Sequence, residues 1–503
     1  MKRFIASLLT LGLFALSCRF LSPTSPTPSA TPVDHLDPIQ IPWDDRSIFQ
    51  SGLIESARPV LNELPGASVY HIEFNIAETM YEIAGTEEVR YTNNESVALD
   101  EVHFRLFPNI LGGEIQVTNL QADGEPVTPQ YALADSLMIV RLPETLQPGE
   151  MVVLKMNFDL TVPREVEVSY GMLVYYQNIL ALAHAYPMIC VYDDEGWNEE
   201  IPAQNGDLTY ADASFYVVRV SAPKELTLVT TGREVSSEEA GQLQSMLVAS
   251  GPARDFFLAA STDYQEFSQT FGEVTIHSYA SQDSAEGAKF AAETAADSIE
   301  AFNKRYASYP YSELDLVATP NLALGIEYPG SIVLNTEIYE AGNGPRGSSA
   351  ASILESTVAH EVGHQYFYNL IGNDQLDDPW LDEALAQFAT LQYYKDLYGS
   401  GGAQGFHDYL TGRWERVGFE KIPIGLPVAS YQGAEYGAIV YGRGPLFIDA
   451  LREKMGDSAF DAFLREYTET LSWEIATPEI FQSLAEKHCG CDLDELFKEW
   501  VYP

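Results

Sequence analysis

Thr357-Val-Ala-His360-Glu361-Val-Gly-His364, followed by Pro379-Trp-Leu-Asp382-Glu383-Ala384, is the part of this 503-residue chain whose reading decides the fold. His360 and His364 stand four apart in a stretch whose apolar residues Ile353, Leu354, Val358, Tyr366, Phe367 and Leu370 recur at helical spacing. On a helix, positions i and i+4 share a face, so both imidazoles can reach one ion. Two nitrogens are half of a catalytic zinc site, which takes three protein ligands and keeps a fourth position for water. Glu383 is the candidate third ligand, in a segment that reads as a second helix with Pro379 in its first turn. The polar stretch 372–378 is long enough to turn the chain, so two antiparallel helices are expected to bring His360, His364 and Glu383 to one point. A glutamate on a helix is usually a solvated face, but burying two imidazoles and a carboxylate without a partner is costly, and that favours a metal.

These residues resemble the gluzincin aminopeptidases, the family that includes aminopeptidase N and the leukotriene hydrolases. Its members carry H-E-x-x-H, eighteen intervening residues and a Glu within Trp-Leu-Asn-Glu-Gly. The spacing here is the same, with Asp382 and Ala384 in place of Asn and Gly. Leu324-Gly325-Ile326-Glu327-Tyr328 loosely resembles the family's Gly-Ala-Met-Glu-Asn, with Glu327 the identical residue. Tyr436 through Tyr441-Gly-Arg443-Gly444 resembles the family's Tyr-x-Lys-Gly segment, with Arg443 in place of Lys.

The resemblance implies one Zn2+ per chain, held by His360, His364 and Glu383. It makes Glu361 the general base, Tyr441 the hydrogen-bond donor to the oxyanion and Tyr436 a supporting contact. Glu327 is implied to bind the substrate's free α-ammonium, and the backbone of Gly325 and Ile326 to pair with the peptide as an added strand. Peptides with a free N-terminus are then the substrates. Two alternatives stay open: a related zinc endopeptidase or non-peptide hydrolase, and a catalytically inactive, peptide-binding surface lipoprotein.

Residues 1–17 have a basic start, Lys2 and Arg3, and a short apolar core from Phe4 to Leu16, the pattern of a signal peptide. Cys18 follows Ala15-Leu16-Ser17, which resembles a bacterial lipobox, so export and a lipid anchor at Cys18 are expected. Residues 18–66 read as a linker and lead-in, dominated by Pro, Ser and Thr over 21–45.

From 67 to 251, runs such as Val69-Tyr-His-Ile-Glu-Phe and Val152-Val-Leu-Lys-Met alternate or are β-branched, separated by turns such as Asp123-Gly124 and Pro148-Gly149. This is an all-β, sandwich-like domain. Phe107-Pro108-Asn109, Tyr186-Pro187-Met188 and Gly206-Asp207 resemble the amino-terminal domain of the same family. From 252 to 503 a helical stretch over 284–306, a strand over 314–318 and further helices from 349 give a thermolysin-like, mixed α/β, mostly helical catalytic domain. The fold class is therefore α+β and multidomain. The chain resembles a family member stopping after its catalytic domain, which implies an open cleft.

The formal net charge of −45 argues against nucleic acid as a partner, because phosphate binding needs a basic surface. With Cys18 lipidated, Cys190, Cys489 and Cys491 remain; an odd number leaves at least one thiol free, and Cys489 and Cys491 read equally well as a disulfide or as two thiols.

Overall fold

The computed structural model describes residues 39–203, 206–339 and 350–503. The expected signal segment, Cys18 and residues 19–38 of the linker lie outside the described residues. A compact unit runs from Ile41 to Pro503. Within it, part of the lead-in is structured as 3-10 turns at Ser47–Gly52 and Glu55–Asn62, and Phe49 is buried against Phe215.

An N-terminal β-rich domain comes first, and a helical C-terminal domain follows. The β part is built on an eight-stranded sheet centred on Ser214–Pro223, Val69–Ile76, Glu82–Thr92 and Met151–Thr161, with two four-stranded sheets beside it. Met151–Thr161 alternates buried and accessible residues along its length, as a strand with one face on a core must. Ile72, Phe74, Leu154, Met156, Phe158, Val218 and Val248 meet Val102, Phe104 and Val140 in one core cluster. Burying such side chains contributes roughly 1.5–3 kcal/mol each.

Phe257–Ser261 still pairs with Ile179–Ala183 of the β part, so the sheets change over after Ser261, later than the composition change near 252. The next sheet has five strands in the order Gln265–Phe271, Val274–Ala280, Glu313–Thr319, Ser331–Asn335, Gly325–Tyr328. Val274–Ala280 and Glu313–Thr319 run parallel, which requires a crossover; the helix Ala285–Arg305 supplies it. Its buried stripe of Ala288, Ala291, Ala292, Ala295, Ile299 and Phe302 is mostly small, so the helix lies close to the sheet. Gly325–Tyr328 is an edge strand, paired on one side only.

Two sequence expectations need correction. The helix with the two histidines is Ala350–His364, and it ends at His364 although the apolar period continues to Leu370. Beyond it the chain turns: the N–H groups of Asn369, Leu370 and Ile371 donate back to the carbonyls of His364, Gln365 and Tyr366, and Tyr368 sits at φ 139. Fully buried Arg254 fixes this turn by donating to the carbonyls of Tyr368, Asn369, Ala211 and Glu474. In addition, Pro379–Leu381 forms a separate 3-10 turn, and the second helix, Glu383–Glu415, starts only after Asp382, whose carboxylate accepts from the Glu383 N–H as an N-cap. Cys489 and Cys491 are disulfide-bonded, and Cys190 is a buried free thiol.

Asp255 is buried beside that turn and accepts from the Tyr368 hydroxyl at 2.8 Å. Burial pushes its carboxyl from 3.8 up to about 7, against the pull of that hydrogen bond. The folded chain therefore holds a proton that the unfolded chain releases, and the stability this confers is complete below pH 3.8 and lost as pH rises to about 7. Urea unfolding of wild type and Asp255→Asn at pH 5 and pH 8 should show the variant gaining on wild type at the higher pH, by about 1.4 kcal/mol for each pH unit crossed below the folded-state pKa. An unchanged difference between the two pH values would contradict the assignment.

Candidate active site

The two helices that bear the candidate ligands touch where Gly363 faces Ala386: a Cβ on Gly363 would sit 3.1 Å from the Ala386 Cα, so the close crossing has no room for a larger residue. This proximity brings the three side chains together. His360 Nε2 lies 3.2 Å and His364 Nε2 3.3 Å from Glu383 Oε2, and the two nitrogens are 3.2 Å apart. A tetrahedral ion with bonds of about 2.0–2.1 Å needs its donors ~3.3 Å apart, so the triangle fits one. Glu383 Oε2 is buried with no hydrogen-bond donor aligned on it, as a ligand oxygen lacking its ion would be.

The surroundings set the tautomer and the charge. His364 Nδ1 faces the Phe367 carbonyl at 3.1 Å, which can only accept, so Nδ1 keeps its proton and Nε2 is the nitrogen directed at the triangle. The turn at 365–371 thus has a use: it delivers that carbonyl. Burial opposes charge on His364, yet Glu327, Glu383 and Glu361 outweigh it and hold the imidazole well above its ordinary range. Burial raises Glu327, Glu361 and Asp382. Glu383 goes the other way: burial would raise it, but His364 and His360 hold it below the usual carboxylate range. A pocket with this balance demands positive charge.

Glu361 is buried beside the triangle, within 4.8 Å of His364 and Glu327 by one ligand atom each. The edge strand lies directly over it. A Cβ on Gly325 would meet the Glu361 Oε1 at 2.4 Å and its Cγ at 2.7 Å, so glycine there lets the strand backbone approach the carboxylate. Strand alternation turns Glu327 to the same side as Gly325, while the Ile326 side chain packs on the opposite side with Val317 and Val333. Only the backbone of Ile326 is thus available to the site.

Tyr441 lies in a π-helical turn, Ile439–Arg443, a local distortion often found at functional positions. Its hydroxyl donates a short hydrogen bond to Glu383 Oε1, and burial, reinforced by Glu383, keeps it protonated. The Tyr436 ring packs edge-on against Tyr441 at 5.5 Å. Arg443 points elsewhere: it donates to the carbonyls of Ile422, Glu499 and Trp500 and covers the Trp500 ring, pinning the last helix.

Two residues of the site were not singled out as functional from sequence. Gln375 stood in a stretch read as a turn, yet its amide nitrogen lies 2.6 Å from Asp382 Oδ2 and 3.3 Å from Glu327 Oε1, bridging the two. Asp207, noted only as part of a domain motif, comes from the β part; burial and the nearby Glu327, Glu383 and Asp382 push its carboxyl up, and its Oδ2 has no partner. Its only sequence signal was the Gly206-Asp207 pair. Cys18 lies outside the described residues.

Residues 290–500 match the peptidase family M1 domain. Aminopeptidase M1-B of Oryza sativa subsp. japonica is 24% identical over 302 residues, covering 57% of this chain and 34% of that protein. Probable aminopeptidase 2 of Sulfurisphaera tokodaii is 22% identical over 448 residues, covering 86% of this chain and 52% of that protein. The chain thus spans about half or less of the length of these relatives. An M1 zinc metallopeptidase from Deinococcus radiodurans superposes with a TM-score of 0.63 at 18% identity, over 90% of this chain and 94% of the other. A mutant M1 zinc metallopeptidase from the same organism, bound to a Tyr-Ser-Ala substrate, gives a TM-score of 0.63 at 17% identity, over 87% and 94%. The match over residues 290–500 is in keeping with the gluzincin resemblance of the motifs, and the two-part fold is shared with these M1 zinc metallopeptidase structures.

Because Gln375 donates to two buried carboxylates, Gln375→Leu is expected to lower the unfolding free energy by about 1–3 kcal/mol, the cost of stranding buried acceptors. Gln375→Glu, which adds a carboxylate to the same cluster, should cost more. Urea unfolding at neutral pH checks the order, and equal stabilities for all three chains would contradict the bridge.

Proposed function

We propose that this chain is a zinc-dependent aminopeptidase that hydrolyses the first peptide bond of peptides with a free N-terminus. The observation that carries the reading is the triangle of His360 Nε2, His364 Nε2 and Glu383 Oε2 at 3.2–3.3 Å, with buried Glu361 and Glu327 beside it. The names of the relatives, aminopeptidases all, support the same activity.

His360, His364 and Glu383 are the residues that would hold Zn2+. When bound, the ion supplies Lewis acidity toward a carbonyl oxygen and lowers the pKa of water toward neutrality. The rest is the work of side chains. Glu361, whose carboxyl burial raises, takes a proton from the attacking water and returns it to the departing amine. Glu327 binds the substrate ammonium with its Gln375-anchored carboxylate, which fixes the first residue and so which peptide bond lies at Glu361. The free side of Gly325–Tyr328, at the backbone of Gly325 and Ile326, receives the peptide as a further strand. Tyr441 moves its hydrogen bond from Glu383 Oε1 to the oxyanion as charge develops there, with Tyr436 packed behind its ring.

The chain is further proposed to be exported and lipid-anchored through Cys18 in a bacterial envelope. The support is the basic and apolar pattern of residues 1–17, and no helix among the described residues is long and apolar enough to cross a membrane.

Glu361→Gln should keep zinc yet lower kcat roughly a hundred- to ten-thousand-fold, the usual contribution of a general base. Turnover within threefold of wild type would remove Glu361 from the mechanism. On aminoacyl reporters, acetylation of the amine should abolish wild-type cleavage, and Glu327→Gln should raise KM for the free amine. Equal rates on free and blocked substrates would favour an endopeptidase. Metabolic labelling with a fatty acid should mark the wild-type precursor and not Cys18→Ser; equal labelling would exclude the anchor.

A further inference from the structure

Away from the His360 centre, the five-stranded sheet carries a second group of ligand-type side chains. His277 lies opposite Asp315 in the parallel pairing of Val274–Ala280 with Glu313–Thr319, so the two side chains share a face of the sheet. Glu313, two residues before Asp315, shares that face as well. One donor atom from each of His277, Glu313 and Asp315 lies within 4.8 Å of the other two.

The hydrogen bonding around His277 is that of a metal ligand. Its Nδ1 is 2.9 Å from Glu266 Oε1, and a carboxylate acceptor there places the ring proton on Nδ1. The opposite nitrogen, Nε2, faces Glu313 Oε2 at 3.9 Å, too far for a hydrogen bond and close enough for both to bind one ion after a small inward movement. A carboxylate behind an imidazole, with the other nitrogen directed at further carboxylates, is the arrangement that orients histidine toward a metal.

Asp315 provides the second, independent observation. It is only 4% exposed, and its Oδ1 has no hydrogen-bond partner. Burial and the neighbouring Glu313 and Glu266 all disfavour its ionised form, so an ionised Asp315 needs a cation beside it. Arg233 does not meet that need: its Nη1 reaches Glu313 Oε2 at 3.3 Å and is bonded to no oxygen of Asp315. Arg233 and Glu313 also line a surface cleft.

We propose that His277, Glu313 and Asp315 form a second divalent-cation site, with Glu266 orienting the imidazole. One nitrogen and two carboxylates suit a borderline transition ion such as Mn2+ or Zn2+ better than Ca2+, which takes six to eight oxygens. Bound there, the ion ties Val274–Ala280 to Glu313–Thr319, the strand next to the one that supports Gly325 and Glu327. Its role is structural, and it does not depend on the aminopeptidase reading.

The test uses the full chain, stripped with chelator, reloaded separately with Zn2+ and with Mn2+, dialysed and measured by mass spectrometric metal analysis. Wild type should hold about two ions per chain with at least one of the metals, Asp315→Asn about one, and the His360→Ala/His364→Ala chain about one. Should Asp315→Asn fail to fold, calorimetric titration of the His360→Ala/His364→Ala chain with Mn2+ and Zn2+ decides: one saturable site supports the proposal. No binding of either metal by that chain, or one ion per wild-type chain under both loadings that is lost when both histidines are replaced and retained in Asp315→Asn, overturns it and leaves Glu266, His277 and Glu313 as an ion-paired cluster. Failure of the His360 centre would instead show as one ion in wild type that persists when both histidines are replaced and disappears in Asp315→Asn.

Discussion

Two imidazole nitrogens and a carboxylate oxygen held 3.2–3.3 Å apart, inside a cluster of further buried carboxylates, form the constraint on which the rest of this structure depends. Desolvation works against every ionised group in the cluster, and the carboxylates repel one another. A divalent cation relieves both costs at once. The same need for positive charge explains why Glu327 and Asp207, which take no part in the triangle, have carboxyls pushed upward beside it. A substrate ammonium entering next to Glu327 would meet the remaining excess of negative charge.

The fold maintains this unfavourable concentration of charge by over-determining its geometry. Gly363 allows the two helices to cross closely, Asp382 caps the second helix so that Glu383 is its first residue, and Gln375 bridges Asp382 to Glu327. The turn after His364 is held by Arg254, which joins carbonyls from the β part, the turn and the segment at Glu474. Breaking such a buried, fully engaged cation costs several kcal/mol because the carbonyls lose their donor together. The β part is thus more than a neighbour: through Arg254 and Asp207 it supplies a support of the histidine turn and one carboxyl of the cluster.

What could be read from sequence was what is local. The four-residue spacing of His360 and His364 is a property of one helix, and resemblance to a known spacing pointed to Glu383. Alternation along segments such as Val152-Val-Leu-Lys-Met likewise exposed the β part. The end of the histidine helix was illegible because Tyr366, Phe367 and Leu370 keep the apolar period; what stops the helix is a set of hydrogen bonds from Arg254, 114 residues from Tyr368 in sequence. Gln375 and Asp207 were hidden for the same reason, since each acts through partners on another element. The state of Cys489 and Cys491 could not be read from their spacing, and the fold joins them.

The most direct measurement is crystallographic: anomalous difference maps of the zinc-loaded chain, collected on either side of the zinc absorption edge. The account predicts a strong peak enclosed by His360 Nε2, His364 Nε2 and Glu383 Oε2, at bonding distance from all three. A map without density at that point, or with the ion bound while Glu383 is turned away from it, would contradict the central claim.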